Sequence, residues 1–97
     1  MEVNVKAIHF DISEKLVDFV NKKLDKMARK YEFISAADVN LTLVKPESAM
    51  NKEAAVKFVI SGSPDLFASK TADTFEEAVD LALDALKTQL EKIKDKK

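Results

Sequence analysis

Between Ser13 and Tyr31 the apolar residues Leu16, Phe19, Val20, Leu24, Met27 and Tyr31 recur at spacings of three and four. That period predicts one amphipathic helix of about five turns, ending near Lys30. Ser13 offers an N-cap oxygen, and Glu14 suits the positive end of a helix. On either side of this helix the period is two. From Glu2 to Phe10, Val3, Val5 and Ala7 alternate with Asn4 and Lys6; further on, Val39, Leu41 and Leu43 alternate with Asp38, Asn40 and Thr42. Alternation of this kind belongs to strands with one buried face. A long helix joining two strands is a crossover, so the two strands lie parallel and the connection is right-handed.

The remaining chain follows the same logic. A polar bridge precedes the strand DVNLTLVK, and the segment PESAMNKE, opened by Pro46, reads as a turn. AAVKFVIS is a third strand, rich in β-branched and aromatic residues. SGSPD, with Gly62 and Pro64, is a second turn, and LFASKTA is a fourth strand. Thr74-Phe75-Glu76-Glu77 fits a capping box. A last helix then runs to about Lys94, with Phe75, Ala78, Val79, Ala82, Leu83, Leu86, Leu90 and Ile93 as its apolar stripe. The order is β-α-β-β-β-α. Short turns make strands two to four an antiparallel meander. The expected fold is α+β in two layers, with both helices on one face of a four-stranded mixed sheet, and residues 1–97 forming a single domain. The other sheet face is left to solvent or a partner.

Several chemistries are excluded by what the chain lacks. With no cysteine there is no disulfide, zinc finger or thiol nucleophile. One glycine cannot build a phosphate-cradling loop. His9, the single histidine, makes neither a triad nor a metal site; it reads as a surface residue at a strand end. The carboxylates Glu76, Glu77, Asp80 and Asp84 lie on a helix with no histidine or cysteine beside them, and nothing in the pattern predicts the cleft that a glycosidase-type pair needs. The opening MEVNVKAIHF lacks the basic and apolar regions of a signal peptide, and no apolar run reaches membrane-spanning length. The expectation is a non-enzymatic, cytoplasmic protein without cofactor, metal, membrane partner or small-molecule substrate.

Charge narrows the function. The 16 basic and 17 acidic side chains leave a net charge of -1, far from the strongly basic balance of a typical nucleic-acid-binding domain. Taken by region, the picture differs. Residues 14–30 carry six basic groups (Lys15, Lys22, Lys23, Lys26, Arg29, Lys30) and three acids, net +3. Residues 74–86 carry four acids and no base, and residues 87–97 carry five lysines against Glu91 and Asp95. Acids at a helix start and lysines at its end match the helix dipole, and Asp18–Lys22 and Asp25–Arg29 are i,i+4 pairs, so an ordinary solvated surface explains much of this. The functional alternative is a phosphate-tracking face, because lysines one or two turns apart can follow a nucleic-acid backbone. Tyr31 and Phe33 could stack on bases or cap the core under the helix end. Lys45 and Lys52 bracket a loop that could enter a groove or be a plain turn.

Two long stretches carry a resemblance. VNVKAIHFDISEKLVDFVNKKLDKMARKY is similar to the opening of the ribosome hibernation-promoting factors, also known as ribosome-associated inhibitors or sigma-54 modulation proteins: a strand, a link such as Asp11-Ile12-Ser13, then a Lys-rich helix. FEEAVDLALDALKTQLEKIKDK is similar to that family's closing helix, through Ala78-Val79-Asp80, Asp84, Leu86 and Gln89-Leu90. The resemblance spans nearly the whole chain. It implies a fold related in shape to double-stranded-RNA-binding domains, and binding to the small ribosomal subunit (rRNA and ribosomal proteins) in the channel for messenger and transfer RNA. It also implies arrest of translation in starvation or stationary phase, with no catalysis. The chain looks like the short form, without the domain that pairs ribosomes. Ala85 and Thr88 stand where the family often has basic residues, as does Ile8 after the first strand, so the middle of the last helix is less basic than usual. The RNA-binding candidates are Lys22, Lys23, Lys26, Arg29 and Lys30, with Lys87, Lys92 and Lys94. The alternative reading is a protein-interaction module that uses the open sheet face or an edge strand.

Overall fold

Side-chain caps start both helices where the sequence places them. The Ser13 hydroxyl accepts from the Leu16 N–H at 3.2 Å, and Thr74 Oγ1 accepts from the Glu77 N–H at 3.1 Å. Each satisfies a donor that a helix start leaves without an intrahelical partner. The computed structural model describes residues 2–44 and 51–96. Along the chain these form β1 (Glu2–Ile8), α1 (Glu14–Lys30), β2 (Ile34–Leu43), β3 (Lys52–Ile60), β4 (Leu66–Ala72) and α2 (Phe75–Lys96).

The sheet order is β1-β2-β3-β4, parallel for the first pair and antiparallel for the other two. This is the arrangement expected from the crossover helix and the two turns. One row shows the register: Val5 lies beside Val39, Val39 beside Val56, and Val56 beside Ala68. All four face the helices, and the last three are buried. α2 packs on β3 and β4, while α1 lies beside α2 toward β1. Leu16, Val20 and Leu24 of α1 meet Ala78, Val79, Ala82, Leu86 and Leu90 of α2 in a single core. A fully buried side chain such as Leu24 or Phe58 contributes roughly 1.5–3 kcal/mol through lost water contact.

Boundaries differ from the sequence expectation in instructive places. β1 stops at Ile8 instead of Phe10, because His9 takes a left-handed φ of 68°. Phe10 then turns onto Phe75 in a stacked pair with centroids 4.3 Å apart, tying the starts of both helices together. β2 begins at Ile34, inside the stretch expected to be a polar bridge. A register shift between Ile34 and Ala36 resets its alternation, so buried Ile34 and buried Ala37 are three residues apart and the period of two is hidden. β3 runs over Lys52–Ile60 instead of 54–61, and α2 continues to Lys96. Gly62 has a φ of 74° with nothing near an added Cβ, so backbone conformation and not space calls for glycine there. Lys45 and Pro46, assigned above to a turn, lie outside the described residues.

Candidate nucleic-acid interface

The two helices run parallel, and this decides which charges meet. Near their middle, Lys23 Nζ lies 3.2 Å from Asp80 Oδ1; two turns on, Lys30 Nζ lies 3.6 Å from Glu91 Oε1. The lysine-rich ends of both helices therefore sit at the same end of the domain. At that end the Lys30 and Lys94 ammoniums stand 5.4 and 5.8 Å from the centroid of the Tyr31 ring. Cations at this range are drawn to the ring's negative face.

Helix periodicity sorts the remaining candidates. Lys22, Lys26 and Arg29 are exposed on the outer side of α1, with Arg29 held 3.0 Å from Asp25. Together with Phe19, Lys23 and Asp25 they line a cleft of about 310 Å³. Lys23 lies 5.4 Å from the Phe19 ring centroid. On α2, spacings of three and four put Lys87 in one stripe with Asp80, Asp84, Glu91 and Lys94, the stripe that faces α1. Lys92 is exposed too, but it is two residues from Lys94 and so roughly 160° away round the helix. The structure thus gathers Lys22, Lys23, Lys26, Arg29, Lys30, Lys87 and Lys94 about the two-helix surface and leaves Lys92 outside that stripe, about 100° round α2 from Glu91.

The cross-helix pairs are not a buried network. The Lys23 and Asp80 side chains are 37% and 48% exposed, and Lys30 and Glu91 are similar. Pairs this exposed contribute at most about 1 kcal/mol each, so either lysine can leave its carboxylate at little cost. Lys30 is nevertheless held above its ordinary value of 10.5, first by the Tyr31 hydroxyl and then by Glu91, with desolvation pulling the other way. The Tyr31 hydroxyl is itself buried and makes no hydrogen bond of regular geometry.

The aromatic residues at the end of α1 belong to the core. Tyr31 is fully buried, and Phe33 is half-buried against it with centroids 6.0 Å apart. Lys52 donates to Asn51 Oδ1 at 2.6 Å at the start of β3. His9 is exposed, and the described residues hold no group of His, Cys, Asp or Glu that could bind a metal. Sequence reasoning missed two things here. One is the part of Phe19, which the apolar stripe assigned to the core alone. The other is the part of Glu91 and Asp80, whose partners lie on another helix and leave no local signal.

Comparison with known proteins identifies the family. Residues 3–97 match the family described as sigma 54 modulation protein / S30EA ribosomal protein. A ribosome hibernation promoting factor of Azotobacter vinelandii is 27% identical over 96 residues, covering 99% of this chain and 85% of that one. Among solved structures, a ribosomal subunit interface protein from Coxiella burnetii superposes with a TM-score of 0.85 at 26% identity, covering 98% of this chain and 99% of that one. The N-terminal domain of Thermus thermophilus Protein Y shares the fold, with a TM-score of 0.79 at 23% identity over 96% of this chain and 99% of that one. A match over nearly the full length, on the β-α-β-β-β-α order seen here, makes this chain a member of the sigma 54 modulation protein / S30EA ribosomal protein family.

Proposed function

We propose that the protein is a ribosome hibernation factor of the cytoplasm. It binds the small ribosomal subunit, contacts rRNA phosphates with its two-helix face, fills the channel for messenger and transfer RNA, and so stops translation under starvation. The carrying observation is the parallel pairing of α1 and α2, which concentrates cations on one surface of a chain whose net charge is -1. Relatives named for ribosome hibernation and for the ribosomal subunit interface support the choice of partner. Lys22 and Lys26 are the leading contacts, being exposed and free of the cross-helix pairs. Lys23 and Lys30 are held in place by acids and exchange them for phosphates. The protein acts by occupancy and not by turnover, and among the described residues no helix is long and apolar enough to cross a membrane.

The test is cell-free translation. Added wild-type protein is expected to inhibit it, and the double reversal Lys22→Glu with Lys26→Glu is expected to abolish inhibition without loss of fold. Equal inhibition by both proteins would remove these lysines from the site. A second reading, a protein-interaction module, is favoured by one feature: Phe67, in the β4 row that faces away from the helices, is 61% exposed. That reading expects association that tolerates salt.

A further inference from the structure

The two edges of the sheet are built differently. β4 is covered by α2, and its core-facing Ala68 and Ala72 are buried. β4 also carries an exposed lysine, Lys70, in the core-facing row, opposite buried Ala54. A lysine so placed opposes the addition of another strand. β1 has no such guard. Its core-facing residues are Val3, Val5 and Ala7, and all three are only half-buried, whereas Ala37, Val39 and Leu41 beside them on β2 are buried. A crevice of about 410 Å³ runs between Val3 and the residues Asn21, Lys22, Asp25 and Ala28 of α1. On its outer side, β1 presents backbone donors and acceptors that no strand among the described residues meets.

The sequence of β1 indicates what fits there. On the face away from the helices it reads Glu2, Asn4, Lys6. Laid antiparallel against itself about Asn4, the strand puts Glu2 opposite the partner's Lys6, Lys6 opposite the partner's Glu2, and Asn4 opposite itself. On the core face, the same register puts Val3 opposite the partner's Val5. Antiparallel pairing in this register keeps apolar rows with apolar rows and charged rows with charged rows. Among the described residues neither Glu2 nor Lys6 is in an ion pair of its own chain. Opposite charges directly across two strands favour pairing, and like charges oppose it.

We infer that β1 is a self-pairing edge whose occupant is β1 of a second copy of this chain. The two four-stranded sheets join about a twofold axis perpendicular to the sheet, into one continuous sheet with all four helices on the same side. Val3, Val5 and the crevice beside α1 are covered in the process. The inference is tested apart from the ribosome reading, because its test uses the isolated protein and substitutes no residue of α1.

Sedimentation of the purified full chain over a wide concentration range tests it. Wild-type protein is expected to shift from monomer to dimer as concentration rises. Glu2→Lys and Lys6→Glu each convert two attractive cross-strand pairs into repulsive ones, and each is expected to weaken self-association on the order of tenfold. Mixed together, the two single variants are expected to form a heterodimer more readily than either associates alone. The double variant E2K/K6E is expected to recover wild-type behaviour. Both residues are exposed, and the mixing experiment shows that each variant is folded and competent. A wild-type chain that stays monomeric throughout overturns the inference. So do single variants that dimerise like wild type, or a mixture that fails to pair.

Discussion

Lys23 of α1 and Asp80 of α2 stand 3.2 Å apart across the groove between two parallel helices. The pair fixes where a flexible lysine waits, at little energetic gain. It also places a carboxylate inside the proposed phosphate-binding surface. Asp80→Asn is therefore expected to change stability by less than about 1 kcal/mol. It is expected to strengthen association with the small ribosomal subunit several-fold, because one opposing charge is gone. Thermal unfolding and subunit binding at fixed salt check the two halves. Weaker binding in the variant would mean that Asp80 positions Lys23 and does not compete for it.

Lys30 and Tyr31 give a prediction about pH. Lys30 is held above its ordinary 10.5, so the folded chain grips this proton more tightly than the unfolded chain does. The resulting stabilisation is fully present below that ordinary value and is lost as pH rises through the raised one. Lys30→Gln is expected to flatten the alkaline loss of stability, measured as denaturant midpoints across that window. Unchanged slopes would contradict the coupling.

The same corner separates hydroxyl from ring. Tyr31 is fully buried with a hydroxyl that makes no regular hydrogen bond. Tyr31→Phe keeps the packing and the cation contacts while removing an unsatisfied polar atom. It is expected to leave stability unchanged or raise it by up to about 1 kcal/mol, and to let Lys30 titrate nearer its ordinary value, followed by NMR. A loss beyond 1 kcal/mol would show that the hydroxyl has a firm partner.

Two backbone features set opposite expectations. Ser13→Ala removes the cap on Leu16 N–H and should cost about 1 kcal/mol. His9→Gly relieves a left-handed residue and should stabilise by roughly 1 kcal/mol. Chemical denaturation of the two variants beside wild type checks both signs.

Much of this was legible from period alone. Stripes of three and four, strands of two and the Ser13 and Thr74 caps give the element order, and the crossover gives the strand directions. β2 was misplaced at its start because a bulge after Ile34 breaks the alternation that periodicity relies on. The end of β1 was missed because nothing local marks His9 for a left-handed turn. For the site, the clustering of cations on α1 was visible, but the distinction among them was not. That Lys23 and Lys30 face acids while Lys22 and Lys26 face solvent depends on the parallel packing of α2. Lys92 and Lys94 look alike in sequence and fall on different sides of their helix.

Phosphate contacts made by the two-helix face give co-sedimentation with small ribosomal subunits a steep dependence on salt. The expected result is pelleting at low salt that is lost steeply as salt rises. The slope of log affinity against log salt is expected to fall by about one unit for each of Lys22→Gln and Lys26→Gln. Pelleting that ignores salt, or no pelleting at any salt, would contradict such contacts.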